Sequence, residues 1–197
     1  DRSIEHSLHY HEPEPYEGKS VLVVGGRSSG VDISRELQGV AEWTYVIEKK
    51  CSELVSDEKR RVTHVPLGAA LDKDGHLYFD SVRAPGPPIE SVILATGYVY
   101  AFPFLNENAV GMEFEGRRSC RPLYLHLQHA ERPTLGFVGI QLAVPCPIPT
   151  FEAQSRYLGE AWANPEGALT PLDDRRSWVA QRLSTIEASG REQDLHY

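Results

Sequence analysis

Short apolar runs alternate with polar segments along this chain, and the period of each run separates strands from helices. Ser20–Val24 (SVLVV) is continuous and β-branched, as a buried strand requires. Gly25, Gly26 and Gly30 punctuate the turn that follows. Ile33, Leu37 and Val40 then recur at i, i+4 and i+7, which predicts a helix over 32–40 with Ser28 or Ser29 capping its start. Residues 44–47 predict the next strand, closed by Glu48, Lys49 and Lys50. Further on, 61–67 predicts a strand, Asp74-Gly75 within 71–79 a hairpin, and 89–95 a third strand covered on both faces. Residues 1–18 are polar with two prolines and read as an extended approach; 51–61 reads as a surface loop or short helix. In the second half, 122–127 and 135–140 predict two further strands. Pro145, Pro147 and Pro149 should bar regular structure until Thr150, the expected cap of a helix over 151–162. A last helix is predicted over 172–189, with Trp178, Leu183 and Ile186 facing inward, before a polar tail over 190–197. The pattern is α/β: a Rossmann-like domain with a parallel sheet, a glycine turn and a β-hairpin insertion, then a region of different texture from about residue 99.

A strand, a glycine turn and a helix whose free amides point at the turn make an anion site. A second strand about 20 residues on suits a dinucleotide. The fingerprint G-x-G-x-x-G would place glycines at 25, 27 and 30, but position 27 is arginine. Arg27 must hold a pyrophosphate slightly further out or meet it with its guanidinium. A βαβ unit that uses glycine only for a tight turn fits the same residues. At the end of the second strand, an acid suits the ribose hydroxyls of NAD and basic residues suit the 2′-phosphate of NADP. Glu48 and Lys49-Lys50 supply both, and the lysine pair tips the expectation to NADP. Thr96-Gly97-Tyr98 follows the third strand, either a plain turn or a close approach to a ligand.

Composition narrows the classes. The 41% hydrophobic and 24% charged content is that of a globular protein, and a net charge of −8 argues against nucleic-acid binding. No apolar run is long enough to span a membrane, and a cytoplasmic location is expected. Cys51, Cys120 and Cys146 are odd in number and widely spaced, as free thiols in a reducing compartment are. No C-x-x-C encodes a zinc knuckle or a redox dithiol. His6, His9 and His11 lack the partners of a metal set and read as solvated; His126 and His129 read as structural. The chain opens at Asp1 with its only methionine at 112, so it is expected to be a fragment of a longer parent.

VLVVGGRSSGVDISREL (21–37), ESVILATGY (90–98), RPLYLHL (121–127), LGFVGI (135–140) and PIPTFEAQSRY (147–157) together resemble the flavin-containing monooxygenases, in order and spacing, over nearly all of the chain. The similarity is to the soluble fungal and plant branch, where the middle position of the glycine turn is often not glycine. His6-Ser7-x-x-Tyr10 looks like the end of that family's identifying F-x-G-x-x-x-H-S-x-x-Y string, with Arg2 where the string has glycine. The resemblance implies that 1–98 is an NADPH-binding domain with its entry linker. It implies that 99–197 is the C-terminal part of an FAD-binding domain whose first half lies outside this sequence. It further implies that NADPH reduces FAD, dioxygen adds, and the flavin hydroperoxide oxygenates an amine nitrogen or a sulfide sulfur. No catalytic side chain is assigned. The implied cofactor contacts are Gly25, Gly26, Arg27, Ser28, Ser29 and Gly30 for the pyrophosphate, Lys49 and Lys50 for the 2′-phosphate, and Ala95, Thr96, Gly97 and Tyr98 along a cofactor cleft. Two other readings stand beside it: an NADP-binding module that cannot turn over, and a disulfide reductase of the related two-dinucleotide class.

Overall fold

A computed structural model describes residues 2–115, 119–141, 144–189 and 196, which fall into two compact units divided after Gly97. The first is built on a six-stranded sheet. Its strands are β1 (Ser3–His6), β2 (Ser20–Val24), β3 (Trp43–Glu48), β4 (Val55–Asp57), β5 (Val62–Pro66) and, after a small three-stranded antiparallel sheet of β6 (Ala70–Leu71), β7 (Leu77–Phe79) and β8 (Val82–Arg83), β9 (Ser91–Leu94). The spatial order is β1-β9-β2-β3-β5-β4, parallel throughout except for β4 at one edge. Alternation along β2 explains how both faces are covered. Val21 and Val23 face α1 (Ser28–Leu37) and pack with Ile33, Leu37 and Ile93. Leu22 faces the other way and packs with Tyr45, Val65, Val92 and Leu77 of the small sheet. The expected hairpin at Asp74-Gly75 therefore supplies a covering layer, its turn held by Asp72, whose carboxylate accepts from the amides of Asp74 and His76.

Three expectations for this unit are corrected. The extended approach contains a true strand: β1 pairs in parallel with β9, Ser3 opposite Ser91 and His6 opposite Leu94. Four residues are too few for alternation to declare a strand, and the partner lies about 90 positions away. The helix begins at Ser28 and ends at Leu37, four and three residues before the predicted bounds, with Arg27 as its N-cap and no side-chain cap bond. Segment 51–61 holds the edge strand β4 rather than a helix.

The second unit packs around Met112, Cys120, Leu123, Phe137 and Ile140, with Phe102 against Phe137 at a ring separation of 4.9 Å. Its elements are α2 (Glu107–Val110), the pair β10 (Glu113–Glu115) and β11 (Ser119–Arg121), the pair β12 (Leu123–Tyr124) and β13 (Gln128–His129), then α3 (Pro147–Ala163), α4 (Pro165–Ala168) and α5 (Leu172–Ala188). The two long strands expected here are absent. Leu125 and His126 have positive φ and end β12 after two residues. Residues 135–140 make one bridge, Gln128 to Gly136, before turning at Val138-Gly139; Gly136 instead lies under Leu158 of α3. The prolines did not delay α3 to Thr150. Pro147 and Pro149 fall in its first turn, where a helix needs no amide donor. In α5, Ile186 is buried and Trp178 and Leu183 are half-buried, as expected. The polar tail lies outside the described residues except for His196.

Two histidines in this unit are buried against each other, His126 Nδ1 3.0 Å from His196 Nδ1, so in the neutral pair one ring donates and the other accepts. Burial, aided by Arg182 for His126 and by His126 for His196, lowers both from the ordinary 6.5 to about 4. The unfolded chain therefore binds more protons than the folded one between those values. The stabilisation is complete above about pH 6.5 and is lost as pH falls toward about 4. Each ring steepens the dependence by up to about 1.4 kcal/mol per pH unit. Urea midpoints for the second unit should drop between pH 7 and pH 5, and His126→Gln should flatten that drop; an unchanged slope would count against the assignment.

Candidate functional site

The carboxyl ends of β2, β3 and β9 meet at the glycine turn, where a parallel sheet presents ligands to the following helix. The Gly25 N–H donates to Ile47 O at 2.9 Å and the Ala95 N–H to Val24 O at 2.9 Å, so the turn is stitched to both neighbouring strands. Each glycine is required by a different neighbour. A Cβ on Gly25, which has φ +123°, would lie 2.2 Å from Ala95 O. One on Gly26 would lie 2.4 Å from Glu48 Cβ, and one on Gly30 1.7 Å from Gly25 O. The three positions permit the closest approach of β9, β3 and α1 to one small turn. Arg27, standing where the fingerprint has glycine, has an extended backbone (φ −98°) and is exposed. Ser28 is exposed, Ser29 half-buried, and neither side chain caps the helix. The amides of the first turn of α1 thus open on the ends of the strands with no side-chain cap, the arrangement that accepts an anion.

Around this turn, Lys49 and Lys50 are exposed just past β3, and Thr96 and Gly97 are exposed just past β9 while Ala95 is buried. Tyr98 opens the second unit and is exposed. The first unit thus brings 25–30, 49–50 and 95–97 to one end of its sheet. A separate cavity of about 660 Å³, lined in part by Gln38, Glu42, Lys59 and Arg61, lies at the opposite ends of the strands.

Sequence reasoning missed two contributions. Because β1 joins the sheet, His6 arrives at the same end, with Nε2 3.3 Å from Gly97 O, and the Ser7 N–H donates to Leu94 O. The signal available was the H-S-x-x-Y string, read above as part of a linker. Glu48 is not a solvated strand end. It is half-buried beside Gly26, and its Oε1 lies 2.6 Å from Nδ1 of His64 on β5. Among the described residues no group of three His, Cys, Asp or Glu side chains could hold a metal ion. The three cysteines are free, and burial pushes the Cys120 thiol up to about 12, which keeps it protonated and inert.

The family model of flavin-binding monooxygenase-like proteins matches residues 71–164. Curated relatives extend the likeness across the glycine turn. Flavin-containing monooxygenase FMO GS-OX-like 9 of Arabidopsis thaliana is 30% identical over 96% of this chain and 40% of its own length. FMO GS-OX4 of the same plant is 32% identical over 94% of this chain and 40% of its own. The chain thus spans about two fifths of the length of these relatives. Among solved structures, S-allyl-L-cysteine S-oxygenase from Allium sativum superposes over all of the chain, and over 44% of its own length, with a TM-score of 0.83 at 25% identity. Tmm from Pelagibacter sp. strain HTCC7211 shares the fold, with a TM-score of 0.74 at 20% identity over 99% of the chain and 46% of its own length. No helix among the described residues is long and apolar enough to cross a membrane. Motif order, a mostly parallel α/β sheet and similarity over nearly the whole chain lead to one finding: this chain is similar to the flavin-containing monooxygenases.

Proposed function

We propose that the first unit is the NADP-binding part of an FAD- and NADPH-dependent monooxygenase that oxygenates a soft nucleophile, an amine nitrogen or a sulfide sulfur. The observation that carries this reading is the glycine turn, pressed between the ends of β3 and β9 under an N-terminus of α1 that no side chain caps. Gly25, Gly26, Ser28, Ser29 and Gly30 would cradle the pyrophosphate, with Arg27 reaching it from outside. Lys49 and Lys50 would meet the 2′-phosphate. Ala95, Thr96, Gly97 and Tyr98 would line the cofactor cleft. A bound flavin supplies the redox and oxygen chemistry; this chain's residues bind, orient and neutralise the dinucleotide. Residues 99–197 would be the C-terminal part of the FAD-binding domain. That a protein alike over the full chain is an S-allyl-L-cysteine S-oxygenase supports a sulfide over an amine as the substrate.

A second reading has the chain alone as an NADP-binding module without turnover, favoured by its spanning two fifths of its relatives. A flavin absorbance spectrum of the purified chain separates the two. Calorimetric titration tests what they share. Wild type should bind NADPH more tightly than NADH. Replacing both Lys49 and Lys50 by Ala should weaken NADPH by about tenfold or more and NADH by less than about twofold, since a charge-assisted contact contributes about 1.5–3 kcal/mol. Equal losses for both nucleotides would discard the 2′-phosphate assignment.

A further inference from the structure

Glu48 stands where an acid ordinarily selects NAD, directly before the two lysines assigned to NADP. The structure supplies a way out of that conflict. Glu48 and Val46 lie on one face of β3, and the register places His64 opposite Val46, so Glu48 and His64 are diagonal neighbours on parallel strands. Their separation, 2.6 Å from Nδ1 to Oε1, is a short charge-assisted hydrogen bond. The other oxygen faces the glycine turn: a Cβ on Gly26 would lie 2.8 Å from Oε2. The carboxylate thus has imidazole at one oxygen and the glycine turn beside the other. His64 has Val46 on one side in register and Val55 of β4 on the other.

We propose that His64 is a specificity-determining residue for the dinucleotide, acting through Glu48; this rests on the reading that the glycine turn binds NADP. A free carboxylate at a strand end takes both ribose hydroxyls and repels a 2′-phosphate. With Oε1 committed to His64, Glu48 loses the two-oxygen grip that favours NAD, and its charge is drawn toward β5. Lys49 and Lys50 then meet the phosphate without a competing acid. His64 is a positioning residue: it touches Glu48, not the nucleotide.

The test is calorimetric binding of NADP⁺ and NAD⁺, with no turnover required. His64→Ala should weaken NADP⁺ by about tenfold and leave NAD⁺ equal or tighter, a coupling of ordinary size for groups in contact. His64→Gln, which keeps an amide donor, should restore part of the preference. Adding Glu48→Gln to His64→Ala should restore NADP⁺ affinity, because the repelling charge is gone. Should His64→Ala fail to fold by circular dichroism, His64→Gln serves: NADP⁺ affinity lowered by a few-fold and NAD⁺ equal or tighter. If wild type binds both nucleotides and neither variant changes their ratio, the role of His64 is overturned while the NADP reading stands. If wild type binds neither, the reading falls and the inference with it.

Discussion

Gly25→Val abolishes dinucleotide binding and destabilises the first unit by about 3 kcal/mol or more, the sum expected from overpacking and a disfavoured backbone. Two causes act at that position. The new Cβ would lie 2.2 Å from Ala95 O, which is backbone at the end of β9 and cannot swing away as a side chain would. A β-branched residue is also forced to φ +123°, where L side chains are rarely found. Relief requires β9 and β2 to separate at their carboxyl ends, which pulls apart the edge on which the pyrophosphate would sit. Gly39→Ala is the control. It shares a positive φ (+93°) but has nothing within 4 Å of its Cβ, so it carries strain of about 1 kcal/mol without the clash. Urea midpoints and NADPH titrations of both variants check this. Undiminished affinity in Gly25→Val would put the nucleotide elsewhere.

Leu37→Ala should cost about 2–5 kcal/mol, the range for emptying a fully buried leucine site. Leu37 is wholly buried in the last turn of α1, among Val21, Val23, Ile33 and Ile93. Because the helix presents its first-turn amides from the other end, this docking holds the anion-facing end in place. Urea denaturation should show the loss in full, whereas NADPH affinity at low urea should fall only a few-fold. A large affinity loss with unchanged stability would mean that Leu37 anchors the cradle and not the core.

What could be read from the residues depended on how locally each feature is encoded. β2, β3 and β9 were legible because continuous β-branched runs bounded by glycine or charge have one reading. The Asp74-Gly75 hairpin was legible because that dipeptide demands a particular turn. β1 was not, because its identity lies in pairing with a strand far along the chain. The two strands expected at 122–127 and 135–140 have the right composition, yet local backbone at Leu125-His126 and packing of Gly136 under α3 decide otherwise. Proline was over-read as a breaker at 147 and 149, where a helix start tolerates it. At the site, the glycines and lysines announced themselves, while the Glu48–His64 contact depends on register between β3 and β5, which no spacing reveals.

The main sheet ends in β1 on one side and β4 on the other, strands of four and three residues, the first parallel and the second antiparallel to its neighbour. Such brief margins offer an incoming strand only a few free amide and carbonyl groups, and in two different patterns. Growth of this sheet by annealing copies of the protein side by side is therefore frustrated at either border, and the parallel interior stays a finite, six-membered ribbon.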